Sequence, residues 1–477
     1  MNYNLSFGLV SGLPPQEQAR LNSLLEIYNS HLAANQKKNQ YYEGKIPLRE
    51  VNLGLALPKN FSGLEINCEW GPKAVDVLAS RSMFDGFVGV NGVYPEELDA
   101  IVRGNNLIAE YNKTCKDELK YGCTFATLSK DPKLGCRIRF HTPETSAAAW
   151  NGEKGRIDCG FVIVDSVPDE SQENTWVPGR VNYYTDSAIW VLTRQDGNRW
   201  TAVERPHKMG RPLMEPFIWN ATSRKPFGRS RIKAPVRSLI QGFVRTIANA
   251  TIGLEFATSP QKYLLGITDE QYDAVINQKF RQYIGNILAA TTNPETGEKP
   301  TFGQLSQGSI TPHVEMMRLL ATQYAAATGL SVTDTGVVND ANPTSSDAIL
   351  AQSQTLVKMA EELNTANGNH LQTIACMAIA IRNNVRLEDL TEEQTGIMAH
   401  FKNPAMPSVA VTADAAVKIA SARPTFANTD IFLEMLGFDQ ADIRRIRAQE
   451  SRNRGLNFLN GLTMEEPEEP AEAGEAE

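Results

Sequence analysis

The sequence lacks the short motifs that mark common enzyme active sites. It has no GxxxxGK(S/T) loop to hold ATP phosphates, no GxSxG nucleophile motif and no HExxH zinc motif. Its six histidines stand singly, and lone histidines are usually surface or satisfied core residues. Asp334 and Asp340 share one loop, but no third ligand lies near them in the sequence, which favours solvated carboxylates over a metal site. We therefore expect no catalytic residue, no metal and no cofactor.

The sequence also shows no CxxC pair, no long apolar run and no pattern of a secretory signal in its first residues. The six cysteines form no CxxC pair, which favours reduced thiols in a cytoplasmic protein. The apolar run from Ile374 to Ile381 is far shorter than the ~18–20 residues of a membrane-spanning helix. The N-terminus shows no basic segment followed by an apolar one. We expect a protein that assembles in the cytoplasm and does not insert into a membrane.

The net charge is small on most of the chain and concentrated at its end. The formal net charge is -8, and seven of the glutamates lie in Glu465–Glu477, a stretch without any basic residue. This stretch cannot bury apolar area, so we expect it to be disordered and solvated. The rest of the chain is nearly neutral, which argues against a protein that grips nucleic acid with its whole surface.

One stretch in the middle of the chain has cations but no acidic residue. Between Arg224 and Leu254 there are seven basic side chains. They are Arg224, Lys225, Arg229, Arg231, Lys233, Arg237 and Arg245. Two interpretations remain open: a solvated or internally paired helix start, or a surface that faces a polyanion or an acidic partner.

The length and hydrophobic pattern predict an α+β protein with several folded regions. A chain of 477 residues corresponds to about three domains of ~150 residues, and 42% hydrophobic residues can fill their cores. Helical periodicity dominates up to Gly122 and again after Pro235, whereas period-two alternation runs from Cys123 to about Trp219. We therefore expect helices on either side of a β-rich region.

The same pattern predicts individual elements. One helix follows Pro14–Pro15, and a second, unbroken helix runs from near Pro95 to Gly122. Turns are predicted at Asn151–Gly152, Pro178–Gly179 and Asp196–Gly197, with a strand Val181–Thr193 before the last of them. The remaining predicted helices are one beginning at Pro235, one over Thr311–Thr328, and a long one that Thr344 and Asp347 cap and that kinks or breaks at Asn367–Gly368.

An ordered series of short motifs resembles one protein family. These motifs are a helix Leu98–Gly122, then His207–Pro216, then Pro226–Ile232 (PFGRSRI) before an amphipathic helix, then Tyr324–Leu330, a loop and Thr344–Asp347, and finally Pro404–Lys418 and Leu436–Gly437. In this order they are similar to the portal proteins of tailed bacteriophages, of the SPP1-like or HK97-like siphovirus type. The resemblance covers about residues 15–450.

This resemblance implies a portal fold with an α/β wing, a two-helix stem, an inserted clip, a long kinked helix and a helical crown. The implied regions are a wing over 1–232, the first stem helix over 233–257, the clip over 258–309, the second stem helix over 310–329, the tunnel loop over 330–343, the long kinked helix with wing and crown over 344–402, the C-terminal crown over 403–463 and the acidic tail over 464–477.

The resemblance also implies a function without catalysis. Portal subunits form a ring, expected to be a dodecamer, at one vertex of the capsid in the virion. DNA is packaged through the ring by the terminase and later ejected, and it passes without sequence-specific binding. The implied partners are other copies of the chain, the terminase large subunit, the major capsid or scaffolding protein and the head-completion proteins of the neck.

Candidate site residues follow from placing this chain on the family's architecture. The tunnel loop that lines the DNA channel would contain Asp334, Val337, Val338, Asn339 and Asp340. The basic residues of the first stem helix would be Arg237 and Arg245. The clip surface that docks the terminase would contain Asn293, Glu295, Glu298 and Lys299.

Two other functions stay open at this point. One is a different structural protein of the phage head or neck, although adaptor proteins are generally much smaller. The other is a metal-dependent nucleic-acid-processing enzyme whose carboxylates are dispersed along the sequence.

Overall fold

The computed structural model describes residues 5–46, 66–89, 96–168, 176–195, 199–258, 262–266, 297, 299, 301–304, 309–336, 346–405 and 409–463. The chain divides into two units. The first consists of Met1–Gln36, Val75–Arg231 and Leu350–Glu477, and the second of Lys37–Ala74 and Ile232–Ile349.

Helices dominate both ends of the chain. They are α1 Pro15–Tyr42, α2 Trp70–Ala79, α3 Glu96–Gly104, α4 Leu107–Tyr121, α5 Ala234–Thr258, α6 Thr311–Thr328, α7 Ser346–Asn383, α8 Glu392–Thr395, α9 Val409–Ala422, α10 Asp430–Met435 and α11 Gln440–Thr463. Short 3-10 turns lie at Thr333–Thr335, Leu387–Asp389 and Pro424–Asn428.

The strands lie mostly in the middle of the sequence. They are β1 Val10–Ser11, β2 Phe84–Gly89, β3 Cys123–Asp131, β4 Gly135–His141, β5 Ser146–Asn151, β6 Arg156–Pro168, β7 Trp176–Tyr184, β8 Ala188–Gln195, β9 Arg199–Pro206, β10 Met214–Ile218, β11 Lys262–Leu265, β12 Thr301–Gln304 and β13 Ile397–Phe401. They form sheets in the orders β1-β9-β8-β7-β6-β5, β10-β3-β4, β11-β12 and β13-β2. All the pairs are antiparallel except β1 with β9.

The core of the first unit forms where α1 covers the six-stranded sheet. Leu21, Leu24 and Tyr28 recur at helical spacing on α1 and pack with the inward side chains of the strands, including Phe161 and Tyr183. The rings of Tyr28 and Phe161 lie 5.6 Å apart, and the Tyr28 hydroxyl donates a hydrogen bond to the carbonyl of Glu144 at 2.6 Å. The expected helix after Pro14–Pro15 is therefore present and supports the sheet.

The helix expected from Pro95 to Gly122 is instead two helices, α3 and α4. Asn106, between them, has a left-handed backbone with φ 50. The side chain of Asn105 donates to the carbonyls of Ile101 and Cys136 and accepts from the N–H of Ile138. These bonds compete with the helical ladder, which explains the break. Gly122 ends α4 with φ 104, as predicted.

Two predictions in the β-rich region are wrong. The strand expected over Val181–Thr193 is two strands, β7 and β8, because Thr185 turns the chain through its N–H and hydroxyl bonds to the Ala188 carbonyl. Pro178–Gly179 is not a turn but lies inside β7, where the pairing with β6 shifts register. A β-bulge at this point accommodates an extra residue that a regular ladder of hydrogen bonds would leave unpaired.

The long helix α7 continues through Asn367–Gly368 without a break. Asn367 is fully buried, and its amide donates to the Tyr111 hydroxyl at 2.9 Å and to the Glu118 carboxyl at 2.7 Å. The polar pair expected to interrupt the helix thus fixes it to α4. With these corrections the α+β class is confirmed.

Candidate functional site

The second unit contains the helix pair that the sequence predicted. Val236, Ile240 and Val244 are buried along one side of α5, and Leu320 and Ala321 are buried on α6. The helices approach closely at Gly242, where an added Cβ would lie 3.3 Å from the side chain of Leu320. The helix predicted over Thr311–Thr328 has these bounds, with Pro312 in its first turn and Gly329 as its C-cap.

Trp70, which lies outside the helix pair, contacts both of its helices. The indole of Trp70, at the start of α2, stacks on Phe243 of α5 at 4.0 Å and on Tyr324 of α6 at 4.5 Å between ring centroids. The Tyr324 hydroxyl donates to the Trp70 carbonyl. Trp70 and Tyr324 are almost fully buried, so this cluster holds both helices through apolar area and ring contact.

The same end of α2 also holds the segment that follows α6. The Trp70 indole N–H donates to the carbonyl of Thr335 at 3.1 Å. The Lys73 ammonium donates to the carbonyl of Asp334 at 2.6 Å. Thr333–Thr335 is a 3-10 turn, and Gly336 leaves it with φ 77. The first residues of the expected tunnel loop are therefore an ordered, anchored base.

The carboxylate of Asp334 is used within this base. One of its oxygens accepts hydrogen bonds from the backbone N–H of Ser331 at 3.0 Å and from the Ser331 hydroxyl at 2.7 Å. Such side-chain to backbone bonds stabilise a turn locally. Of the predicted loop residues only Asp334 is described, because Val337, Val338, Asn339 and Asp340 lie outside the described residues.

The two predicted basic residues of the first stem helix have different surroundings. The guanidinium of Arg237 donates to the carbonyl of Ile232 at 2.7 Å and lies 6.0 Å from the ring centroid of Tyr41. The side chain of Gln241 donates to the hydroxyl of the same tyrosine. Arg237 thus helps to fix the start of α5, whereas Arg245 is exposed further along the helix.

Between α5 and α6 the chain forms the strand pair β11–β12, in which Leu265 lies opposite Thr301. Two large apolar side chains are exposed there, Leu265 at 60% and Phe302 at 52%. Among the predicted clip residues Lys299 is described and exposed, while Asn293, Glu295 and Glu298 lie outside the described residues. Leu265 and Phe302 are not among the predicted clip residues, although an apolar residue in a polar, turn-rich segment is a usable signal.

The first unit contains a separate, buried polar cluster. Glu118 is fully buried, and burial raises the pKa of its carboxyl to about 8, partly opposed by the hydrogen bond from Asn367. The Tyr111 hydroxyl lies 2.9 Å from the Ser82 hydroxyl, and burial also raises the pKa of Tyr111. The cluster connects α4 with α7 and has no solvent-facing member among these residues.

The described residues offer neither a metal centre nor a membrane-spanning helix. Within those residues, no group of His, Cys, Asp and Glu side chains is arranged to hold a metal ion. No helix in the described part of the chain is long and apolar enough to cross a membrane.

The chain was compared with known families, curated proteins and solved structures. The family model described as phage portal protein, SPP1 Gp6-like, matches residues 21–455. Because this match spans most of its length, the chain belongs to the SPP1 Gp6-like family of phage portal proteins. This is a family of structural proteins, so the expectation that the chain is not an enzyme is confirmed. No curated protein matches.

Three solved structures show a distant likeness. A chain from the virion of a native gene transfer agent particle is 13% identical, with a TM-score of 0.44, over 74% of this chain and 86% of that one. A neck chain of the empty particle, computed with C6 symmetry, is 13% identical, with a TM-score of 0.46, over 83% and 98%. A neck chain of the native particle, computed with C12 symmetry, is 12% identical, with a TM-score of 0.43, over 77% and 89%.

Proposed function

We propose that the chain forms a ring-shaped channel at one vertex of the capsid, through which DNA is packaged by the terminase and later ejected. The observation that carries this proposal is the family match over residues 21–455. The helix pair α5 and α6, with the β11–β12 pair between them in the sequence, supports assigning this region as stem and clip. The ring is expected to contain twelve copies.

The regions of the chain take distinct roles in this proposal. The wing spans 1–232, the stem helices lie at 233–257 and 310–329 with the clip at 258–309 between them, and the tunnel loop spans 330–343. The long helix region covers 344–402, the crown 403–463 and the acidic tail 464–477. Head-completion proteins and the terminase dock on the clip, and the capsid or scaffolding protein contacts the wing.

An exposed helix face supports a stem that meets other copies of the chain. On α6, the apolar side chains of Met316 and Leu319 are exposed at 44% and 51%. They lie three residues apart and therefore on one side of the helix. In a head-to-tail ring, each subunit buries one surface patch against one neighbour and a different patch against the other neighbour. We propose that these side chains meet the neighbouring subunit and that Arg245 faces that subunit or the channel.

The tunnel loop has two parts with different tasks. Its base, Ser331–Gly336, is held by Trp70 and Lys73. Its tip, Val337–Asp340, is proposed to form the tightest constriction of the channel. Carboxylates at this tip would repel phosphates, so the loop could touch passing double-stranded DNA without binding it.

A direct test is the size and shape of the purified protein. Negative-stain images should show rings with a central hole, and the particle mass should be about 630 kDa for twelve chains of 52.6 kDa. The expected rings should also bind the terminase large subunit. A stable 52.6 kDa monomer at all concentrations would contradict the proposal.

A further inference from the structure

The stretch Ser451–Leu456 of α11 is exposed on every side. Near its start the helix is anchored, because Ile443 is buried and Arg444 donates to the Asp99 carboxylate at 2.6 Å and to the Phe87 carbonyl at 3.2 Å. In contrast, the six consecutive residues Ser451–Leu456 are all exposed. Since a helical turn takes about 3.6 residues, six residues span the whole circumference. No described part of the chain covers Ser451–Leu456.

This exposed helix is rich in arginine. Between Asp442 and Leu456 the only acidic residues are Asp442 and Glu450, against the five arginines Arg444, Arg445, Arg447, Arg452 and Arg454. Arg444 and Arg447 are used in packing, Arg447 through Asp430 at 2.6 Å. The other three point their charge toward solvent.

Local carboxylates do little to neutralise those three. Arg445 is 83% exposed and lies 3.1 Å from Asp442, and Arg454 is 78% exposed and lies 3.6 Å from Glu450. Exposed pairs of this kind contribute little stability and leave the charge accessible. Arg452 is exposed and has no ion pair with any residue in the described ranges.

We propose that the acidic segment Glu465–Glu477 of the same chain lies against Arg445, Arg452 and Arg454 and screens them. The segment carries seven glutamates and no cation, so its charge complements that of the arginines. It begins two residues after the end of α11 at Thr463. The covalent link gives it a high effective concentration next to the helix.

The chain is long enough for this contact. Arg452 lies eleven residues before Thr463, which is about 17 Å along a helix. The fourteen residues from Met464 to Glu477 can span at most about 48 Å when extended. All three arginines are therefore within reach of several glutamates.

The consequence concerns DNA that passes the crown. Exposed arginines bind backbone phosphates and release counterions, which would retard sliding DNA. The tethered acidic segment competes with the DNA phosphates for binding to the same arginine side chains. The inference rests on the proposed function only in that DNA is the polyanion nearby, and its test does not depend on ring formation or packaging.

The test compares binding of a fluorescent 30-base-pair duplex, at about 50 and 200 mM salt, by the full chain and by a chain truncated after Thr463. We expect the truncated chain to bind at least about tenfold more tightly at low salt, with a steeper salt dependence. A full-length chain whose seven tail glutamates are changed to glutamine should behave like the truncation. Equal binding by all three proteins would overturn the proposal.

The location is tested in the truncated background. R445Q/R452Q/R454Q should return binding to the weak level of the full chain. The matched control R224Q/K225Q/R229Q removes three other exposed cations of the same unit and should leave the tight binding unchanged. If the control, and not the α11 variant, weakens binding, the assignment to α11 is wrong. A peptide of residues 464–477 added in trans should displace the duplex, and its all-glutamine version should not.

Discussion

The hydroxyl of Tyr324 donates a hydrogen bond to the backbone carbonyl of Trp70, and the two rings stack with their centroids 4.5 Å apart. The first residue of α2 and a residue in the second half of α6 thus fix each other by both a polar and an apolar contact. Because Trp70 also stacks on Phe243, the relationship fixes α5 as well. The second unit depends on this cluster for the spacing of its helix pair.

Replacing Trp70 with alanine should therefore destabilise the second unit strongly. The change removes a side chain that is 2% exposed, together with both stacking contacts and the bond to the Thr335 carbonyl. A loss of about 3–5 kcal/mol in the free energy of unfolding is expected. The measurement is denaturant unfolding followed by circular dichroism.

Trp176→Ala is the matched control for this change. Trp176 is 45% exposed on β7, so its removal should cost less than about 1 kcal/mol. If Trp70→Ala and Trp176→Ala had equal effects, the Trp70 cluster would not hold the helix pair.

Much of the secondary structure, but not this cluster, could be predicted from the sequence. The bounds of α6 follow from local signals, a proline in the first turn and a glycine after the last. Trp70 meets Phe243 and Tyr324 across more than 170 and 250 residues of chain, and no periodicity encodes such a contact. Only the folded arrangement shows that Trp70 and Lys73 act on the loop base.

Two of the wrong predictions, at Asn105 and Asn367, depend on hydrogen bonds between a polar side chain and groups far away in the sequence. Asn105 looked like one more residue of a long helix, yet its amide satisfies backbone groups of β4 and ends the helix. Asn367 looked like a helix breaker, yet its amide bonds inside the core and the helix continues. The same residue type gave opposite outcomes because the partners come from distant parts of the sequence.

Glu118→Gln should flatten the pH dependence of stability. The pKa of the Glu118 carboxyl is raised from 4.5 to about 8 in the folded chain. Between these values the native state keeps a proton that the unfolded chain releases, so stability falls as the pH rises through this window and levels off above it. Glutamine cannot ionise, so the variant should gain up to about 4 kcal/mol relative to the original chain between pH 5 and 8.

Unfolding titrations at several pH values measure this difference. Glu110→Gln, which changes an exposed carboxylate on the same helix that pairs with Lys113, is the control and should leave the pH curve unchanged. Parallel pH curves for Glu118→Gln and the original chain would show that the buried carboxyl does not titrate in this range.

Phe302→Ser with Leu265→Ser should weaken docking of the terminase. Both side chains are exposed on the β11–β12 pair, where an apolar contact with a partner would bury them. We expect at least a tenfold loss of affinity, about 1.4 kcal/mol, with particle mass unchanged. Deleting Asn293–Lys299 should also weaken terminase binding.

Leu254→Ser serves as the control for the docking surface. Leu254 is 45% exposed, but it lies on α5, before the strand pair. Its substitution should leave terminase binding intact. Unaltered binding by the Phe302 and Leu265 variant would remove β11–β12 from the docking surface.

The last prediction separates the tip of the tunnel loop from its base. Asp340→Lys places a cation at the proposed constriction, where it would attract phosphates, so DNA translocation should slow. The effect should be larger at low salt, since screening is then weaker. Asp334→Asn removes a charge from the base, where the carboxylate accepts hydrogen bonds from Ser331. This variant should change the rate of DNA translocation at most slightly, and the change should not depend on salt. Single-molecule packaging rates at two salt concentrations measure both variants. If Asp340→Lys packages at the normal rate at low salt, the loop tip does not line the constriction.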